Sequence, residues 1–149
     1  DETSMRDPAN KRRSTCPIDY ALEIFGDRWT LLVLRDLLFL GKRHFREFSD
    51  SPESIATNIL ADRLKKLEYW GLISRSKDPE NLRQVVYHMT DKGLALTPAM
   101  LEIIRWSAKH DPDTGAPASF VKRIERDRDG LAAEIVARAL RSRELQRSK

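Results

Sequence analysis

Polar and charged side chains recur along one side of the helix that residues 54–70 are expected to form. The side opposite the apolar residues carries Thr57, Asn58, Ala61, Asp62, Lys65 and Lys66. An asparagine can bond the edge of adenine with two hydrogen bonds, and a lysine can neutralise a phosphate. A polar helix face is more often simply solvated. The order of the elements around this helix therefore has to show whether the face is a nucleic-acid contact surface or only a solvated surface.

Two charged residues of the same segment, Asp62 and Arg63, are expected to make different contacts. Asp62 repels phosphate, so it either accepts a hydrogen bond from N4 of cytosine or orients Lys65 or Lys66. Arg63 falls on the apolar side of the helix, where a charge needs a partner. We therefore expect Arg63 to pair with a carboxylate such as Asp36 rather than to contact bases.

A single cysteine, Cys16, stands at the start of the first predicted helix, directly before Pro17. Lys11, Arg12 and Arg13 precede it, and positive potential at a helix N-terminus stabilises a thiolate. A lone cysteine is also often a small apolar packing group. If the Cys16 thiol served as a chemical sensor, it could act only through an adduct or through a bond between subunits, because the chain has no second cysteine.

Several function classes lack their characteristic residues. The sequence shows no Ser/His/Asp or Cys/His grouping and no phosphate-binding glycine loop, so an enzyme is not expected. The three histidines, His44, His88 and His110, lack metal-ligand spacing, and no metal or other cofactor is expected. No apolar run approaches the roughly 20 residues of a membrane span, and no signal peptide is evident, so we expect a cytoplasmic protein without membrane partners.

The order of predicted elements is informative. Apolar spacing and capping residues predict four helices, then an antiparallel hairpin, then further helices. The helices cover residues 17–25, 28–40, 45–49 and 55–70, the strands cover 73–77 and 83–89, and later helical segments lie at 91–96, 97–109 and 118–147, the last split at Gly130. This order predicts a mainly α fold with a small β-hairpin (α+β), namely a winged helix-turn-helix.

Five segments together resemble the HxlR-type transcriptional regulators, which are relatives of the MarR group. The segments are CP at 16–17, GDRWTLLVLRDLLFLGKRHFREF at 26–48, IATNILADRLKKLEYWGLISR at 55–75, VVYHMTDKGLAL at 85–96 and the region of Trp106. The resemblance implies a homodimer that joins through its terminal helices on a two-fold-symmetric operator in double-stranded DNA. In some members a cysteine at the place of Cys16 senses quinones, aldehydes or oxidants.

The chain departs from the family at two places. Such proteins usually begin the recognition helix with Ile-Ser, whereas this chain has Ile55-Ala56, so the capping hydroxyl is expected from Ser54 or from the Ser51-Pro52 turn. The C-terminal extension also exceeds the common family core. It is expected either to brace a dimer or to contact DNA.

Basic residues outside the recognition helix complete the predicted surface. Lys42, Arg43 and Arg46 lie before or on the first helix of the motif and are expected at phosphates. Lys77 and Arg83 flank the tip of the wing and are expected at the backbone or the minor groove. Ser54, at the start of the recognition helix, is also expected among the DNA contacts. The predicted divisions are a flexible segment 1–14, the winged helix-turn-helix domain 15–110, a linker 111–117 and a helical extension 118–149.

The sequence therefore predicts a DNA-binding regulator, for which the resemblance implies a response to an electrophile, an oxidant or a small-molecule effector. The formal net charge is only +4, and residues 17–116 are nearly neutral. This weak basicity leaves open a second interpretation, a winged-helix module that mediates protein association without specific DNA binding.

Overall fold

A computed structural model describes residues 13–147, which form two compact units divided between Thr90 and Asp91. Lys11, Arg12 and most of the predicted flexible segment 1–14 lie outside the described residues. The first unit contains α1 (Pro17–Phe25), α2 (Thr30–Leu38), α3 (Phe45–Ser49), α4 (Thr57–Tyr69), β1 (Ile73–Asp78) and β2 (Asn81–Met89). The predicted order of helices and hairpin is confirmed.

Helix α2 forms the centre of the first unit. Leu34, Leu37 and Leu38 on α2 are almost completely buried, as are Leu60 and Leu64 on α4. A helix that is apolar nearly all round has to be surrounded by other elements, and α1, α4 and β2 each contact α2. Helix α2 is therefore the element around which the first unit packs.

The carboxylate of Asp27 joins the start of α2 to α4. Its Oδ1 accepts hydrogen bonds from the backbone N–H groups of Trp29 (2.8 Å) and Thr30 (3.0 Å), which would otherwise lack partners at the helix terminus. The same oxygen accepts from Nε of Arg63 at 3.0 Å. The prediction that Arg63 pairs with a carboxylate is confirmed, but the example given, Asp36, is wrong, because Arg63 faces the N-terminus of α2 and not its middle.

Asp36 has a separate role, at the turn between α3 and α4. Its side chain is buried, and Oδ2 accepts a 2.5 Å hydrogen bond from the hydroxyl of Ser51. Arg35 donates to Oδ1 of Asp36, and its guanidinium also donates two hydrogen bonds of 2.8 Å to the carboxylate of Glu53. Nζ of Lys42 lies 2.6 Å from the Ser51 hydroxyl and 3.5 Å from Asp36. These bonds hold the turn against α2.

Gly71 ends α4 and redirects the chain into the hairpin. Its φ of +77° is readily accessible to glycine, and the N–H groups of Gly71 and Leu72 donate to the carbonyls of Glu68 and Leu67. This glycine-dependent C-terminal cap satisfies two carbonyls of the last helical turn. The recognition helix and the wing are therefore joined by a short, defined connection.

The hairpin is antiparallel, with Ile73 opposite Met89 and Lys77 opposite Val85. The register then shifts, so that Asp78 pairs with Asn81 and residues 82–84 of β2 face no residue of β1. This bulge interrupts the regular pairing of the two strands near the tip of the hairpin. At its base, the N–H of Tyr87 donates to the carbonyl of Arg43 at 2.9 Å, which ties β2 to the segment before α3.

The second unit contains α5 (Asp91–Leu94), α6 (Thr97–His110) and α7 (Ala118–Arg147). Helix α7 is interrupted at Asp127, whose backbone is non-helical and whose Oδ1 accepts from the N–H of Gly130 at 3.0 Å. A Cβ at position 130 would meet the Asp127 carboxylate, so glycine permits this cap. The predicted split at Gly130 is therefore observed three residues earlier.

The structure agrees with the predicted linker, whereas the predicted domain boundaries stay a prediction. Residues 111–117 contain no helix or strand, as expected of a linker, although the assignment of 15–110 and 118–149 as separate domains stays a prediction. Within residues 13–147, no helix is both long and apolar enough to cross a bilayer.

The acidity of Asp27 makes its contribution to stability dependent on pH. Burial opposes ionisation, but the bonds from Thr30, from the Trp29 N–H and from Arg63 lower the pKa of Asp27 to about 2. A lowered pKa stabilises the fold above the ordinary value of 3.8, and this stabilisation disappears as pH falls through about 2. Asp27→Asn should therefore lower the free energy of unfolding at pH 7, by about 1 to 2 kcal/mol.

Urea denaturation of the wild type and of Asp27→Asn at a series of pH values measures this contribution. The difference between the two proteins should shrink below about pH 4. Asp50→Asn is a matched control, because Asp50 is exposed at the end of α3. A difference that persists unchanged towards pH 2 would show that the Asp27 charge is not the cause.

Candidate nucleic-acid interface

Helix α4 presents most of the predicted residues to solvent. Thr57, Asn58, Asp62 and Lys65 are exposed, while Ala61 and Lys66 are half-buried. The opposite side of the helix is held in the core by Leu60, Leu64 and Leu67. Since apolar residues fix the inner side, the polar side is available to fill a groove of DNA.

The start of α4 differs from the expectation. The helix begins at Thr57, its N-cap is Ala56, and no side chain caps it. Ser54 instead adopts a φ of +57°, and its hydroxyl points to the carbonyl of Pro52 at 3.5 Å. The prediction that Ser54 or the Ser51-Pro52 turn supplies the cap is wrong, because the Ser51 hydroxyl is engaged with buried Asp36.

Asp62 contacts a neighbouring arginine rather than a lysine. Its carboxylate forms an ion pair with Nη1 of Arg63, whose Nε is bonded to Asp27. Arg63 thus lies between a carboxylate on α4 and the carboxylate at the start of α2. Asp62 therefore positions Arg63 in this structure, and a base contact by Asp62 stays a prediction.

The predicted cations fall into two groups. Arg43 turns inward and donates from Nη1 to the carbonyls of Leu37 (3.2 Å) and Lys42 (3.1 Å), and Lys42 is bonded to Ser51. Phosphate contacts by Lys42 and Arg43 stay predictions, and each would compete with these internal bonds. The bond to Leu37 caps one carbonyl near the C-terminus of α2, and the bond from Lys42 to Ser51 secures the turn.

The second group is exposed. Arg46 on α3, Lys65 on α4 and both Lys77 and Arg83 at the tip of the hairpin form no side-chain hydrogen bond or ion pair with the residues that the structure describes. Arg83 lies in the bulge, where its N–H donates to the side chain of Asn81 at 3.2 Å. These free cations are the ones suited to phosphates.

Two positioning contacts escaped the sequence reasoning. His44 lies between Glu47 of α3 and Asp78 of β1, at 2.8 Å and 2.9 Å respectively. The spacing of His44 and Glu47, with a glutamate at the third position of a helix, was an available signal of a helix start. The partner at Asp78 is distant in sequence, so no local pattern indicates it.

The other contact joins α1 to the end of α4. The ring of Tyr20 packs edge-on against Trp70, with ring centroids 5.7 Å apart, and Trp70 is the C-cap of α4. Cys16 is the exposed N-cap of α1, one turn before Tyr20. The predicted positive surroundings of Cys16 are partly offset, because the guanidinium of Arg13 pairs with Asp19.

The chain matches the sequence model of the HxlR-like helix-turn-helix family over residues 24–114. It is 35% identical over 95 residues to the HTH-type transcriptional regulator YvaP of Bacillus subtilis, covering 63% of this chain and 87% of YvaP. It is 33% identical over 93 residues to YodB of the same organism, covering 62% of this chain and 82% of YodB.

Solved structures agree with this relationship. The reduced form of YodB from B. subtilis superposes with a TM-score of 0.55 at 30% identity, covering 68% of this chain and all of YodB. A quinone-bound form of YodB superposes with a TM-score of 0.53 at 30% identity, covering 63% of this chain and 99% of YodB. The redox regulator HypR in its oxidised form gives 0.56 at 27% identity, covering 63% of this chain and 96% of HypR.

The missing cap of α4 generates a stability prediction. Ala56 has the extended backbone of an N-cap (φ −64°, ψ 141°), so a hydroxyl at this position can accept from an unpaired N–H of the first turn. Ala56→Ser should raise the free energy of unfolding by about 1 kcal/mol. Thermal or urea denaturation measures the change.

Ala61→Ser is the matched control, because it adds the same hydroxyl within α4. Its expected effect is a loss of about 0.5 kcal/mol from lower helix propensity. Equal changes in the two variants would contradict an uncapped N-terminus at Ala56.

Proposed function

Because the chain belongs to the HxlR-like helix-turn-helix family of DNA-binding transcriptional regulators, we propose that it binds a palindromic operator as a homodimer. The exposed polar side of α4 carries this proposal, since its inner side is fixed in the core and free cations flank it on α3 and on the wing. Such a regulator acts on the nucleoid, in the cytoplasm.

In this proposal α4 enters the major groove. Asn58 bonds an adenine edge, and Thr57 and Ala61 contact neighbouring bases or the thymine methyl group. Lys65, Lys66 and Arg46 neutralise phosphates beside the groove, while Lys77 and Arg83 place the wing on the adjacent backbone or minor groove. Phosphate contacts supply most of the affinity, and the exposed side of α4 supplies the sequence preference.

A second copy of the chain is proposed to cover apolar side chains on the terminal helices. On α1, Ile18 is 70% exposed and Leu22 is 50% exposed. On α6, Ile103 and Trp106 are exposed as well. Exposed apolar residues repeated along a helix are typical of an interface. A two-fold dimer would place its two α4 helices in successive major grooves, about 34 Å apart.

Cys16 is proposed as the site at which an effector acts. Its thiol is exposed at the start of α1, and Tyr20 on the next turn packs against Trp70 at the end of α4. An electrophile that adds to the thiolate would displace α1 and thereby the end of α4. The quinone-bound form of YodB and the redox regulator HypR support an effector of this class.

Binding selection from random duplex DNA, followed by anisotropy titration, tests the operator proposal. We expect an enriched inverted repeat. Asn58→Ala should weaken binding to that repeat by about 1 to 3 kcal/mol and relax the preference at one base pair. Lys65→Ala should weaken binding to all DNA sequences alike, and it should reduce the slope of log affinity against log salt concentration by about 0.9.

Lys109→Ala is the control, because Lys109 is an exposed lysine in the second unit, near the end of α6. It should leave affinity and salt slope unchanged. The absence of any enriched sequence, with weak binding that all three variants share, would instead favour a module for protein association.

The proposed sensor predicts the behaviour of Cys16→Ser. The wild type should lose affinity for the enriched operator after treatment with a quinone, and Cys16→Ser should retain it. Intact mass should show one quinone adduct per wild-type chain and none on the variant, since the chain contains one cysteine. An equal response of both proteins would remove Cys16 from the mechanism.

A further inference from the structure

The imidazole of His44 lies between two carboxylates that belong to different parts of the motif. Nδ1 is 2.8 Å from Oε1 of Glu47, on α3. Nε2 is 2.9 Å from Oδ2 of Asp78, at the end of β1. A neutral imidazole has a single N–H, so it can donate to one carboxylate only, whereas the imidazolium can donate to both. The observed arrangement is satisfied by the protonated ring.

Each carboxylate is itself fixed by backbone groups. Glu47 accepts from the N–H groups of Arg43 and His44 at 3.2 Å and 3.1 Å. The other oxygen of Asp78 accepts from the N–H of Glu80 at 2.9 Å, which shapes the turn of the wing. The ring therefore joins two preformed acceptors, and its protonation decides whether both bonds exist at once.

The position of Asp78 connects this bridge to the DNA-binding surface. Asp78 follows Lys77 and pairs with Asn81, just before the bulge that carries Arg83. The base of the wing has its own attachment, from the N–H of Tyr87 to the carbonyl of Arg43, and that bond does not titrate. The wing thus has a permanent anchor at its base and a protonatable anchor at its tip.

The charged groups that act on the ring from its two neighbouring elements are both acidic. The bond to Asp78 and the charges of Glu47 and Asp78 raise the pKa of His44 above its ordinary value of 6.5, against the opposing effect of partial burial. A raised pKa means that the bridge is complete below the ordinary value and is lost as pH rises through the folded value.

We propose that His44 is a proton-dependent positioning residue for the wing, and that its imidazolium holds Lys77 and Arg83 in place against DNA. When the ring is neutral, one bond to a carboxylate is lost and the tip of the wing is released from α3. Operator affinity should then decrease as pH rises through the neutral range. This inference rests on the proposed DNA binding by α4 and the wing.

Anisotropy titration of the enriched operator from about pH 5.5 to pH 8.5, at constant ionic strength, tests the proposal. The wild type should bind about twofold to fivefold more tightly at the acidic end, a range suited to a partly exposed ion pair. His44→Arg keeps a permanent positive charge and should bind at the acidic level throughout. His44→Gln should bind at the alkaline level throughout.

Two further variants separate positioning from simple charge. If the imidazolium acted only by attracting phosphate, Asp78→Asn would tighten binding and keep a pH-dependent profile, with its midpoint moved to lower pH because Asp78 raises the pKa of His44. If it acts through Asp78, this variant should weaken binding and flatten the profile. His110→Gln, which changes an exposed histidine at the end of α6, should keep the profile of the wild type.

NMR titration without DNA keeps this test separate from the proposed function. The His44 ring and the amide of Lys77 should titrate with a common midpoint in the wild type, and the Lys77 amide should not titrate in His44→Gln. This result would support the bridge even if no operator were found. Two results would overturn the proposal. One is a Lys77 amide chemical shift that does not change as His44 titrates. The other is an operator affinity of His44→Arg that depends on pH as that of the wild type does.

Discussion

The buried carboxylate of Asp36 constrains the whole helix-turn-helix. Its side chain is almost inaccessible to water, so its charge requires several partners, and removing one partner of a buried pair typically costs about 3 to 5 kcal/mol. Those partners are Arg35 on the same helix, Lys42 before α3 and Ser51 in the turn. Satisfying one charge thus brings together the end of α2, the approach to α3 and the turn that leads into α4. The orientation of the exposed side of α4 follows from this arrangement.

The internal use of charge explains why a DNA-binding domain is nearly neutral. Arg35, Lys42 and Arg63 are each bonded to acidic groups or to the buried turn, and Arg43 caps α2. Each acidic partner offsets the charge of one of these cations within the scaffold. Among the predicted DNA contacts within the described part of the chain, Arg46, Lys65, Lys77 and Arg83 form no side-chain hydrogen bond or ion pair, and they lie on α3, α4 and the wing. Net charge is therefore a poor guide to the partner of this chain, because many of its charges are compensated within the scaffold.

Sequence periodicity predicted the elements well but did not identify long-range partners. The spacing of Leu60, Leu64 and Leu67 determines which side of α4 is buried, and Gly71 marks where the helix ends, because both signals are local. The partner of Arg63 depends on the angle between α4 and α2, so Asp27 was missed in favour of Asp36. The same limit applies to Asp78 and His44, which are 34 positions apart. Family resemblance suggested a capped recognition helix, which the alanine at position 56 cannot provide.

The attachments of α4 differ in strength, and this difference indicates where a signal can enter. The turn before α4 is held by a buried charge network, and the middle of the helix is held by the charged bond from Arg63 to Asp27, of a type that contributes about 1.5 to 3 kcal/mol. The end of α4 meets α1 through the Tyr20–Trp70 ring pair, a contact that adds about 0.5 to 1.5 kcal/mol beyond burial. A disturbance at the start of α1 would therefore reach α4 through this ring pair. It would alter the direction of the recognition helix while the turn that defines the motif stays intact, which is what a reversible regulator requires.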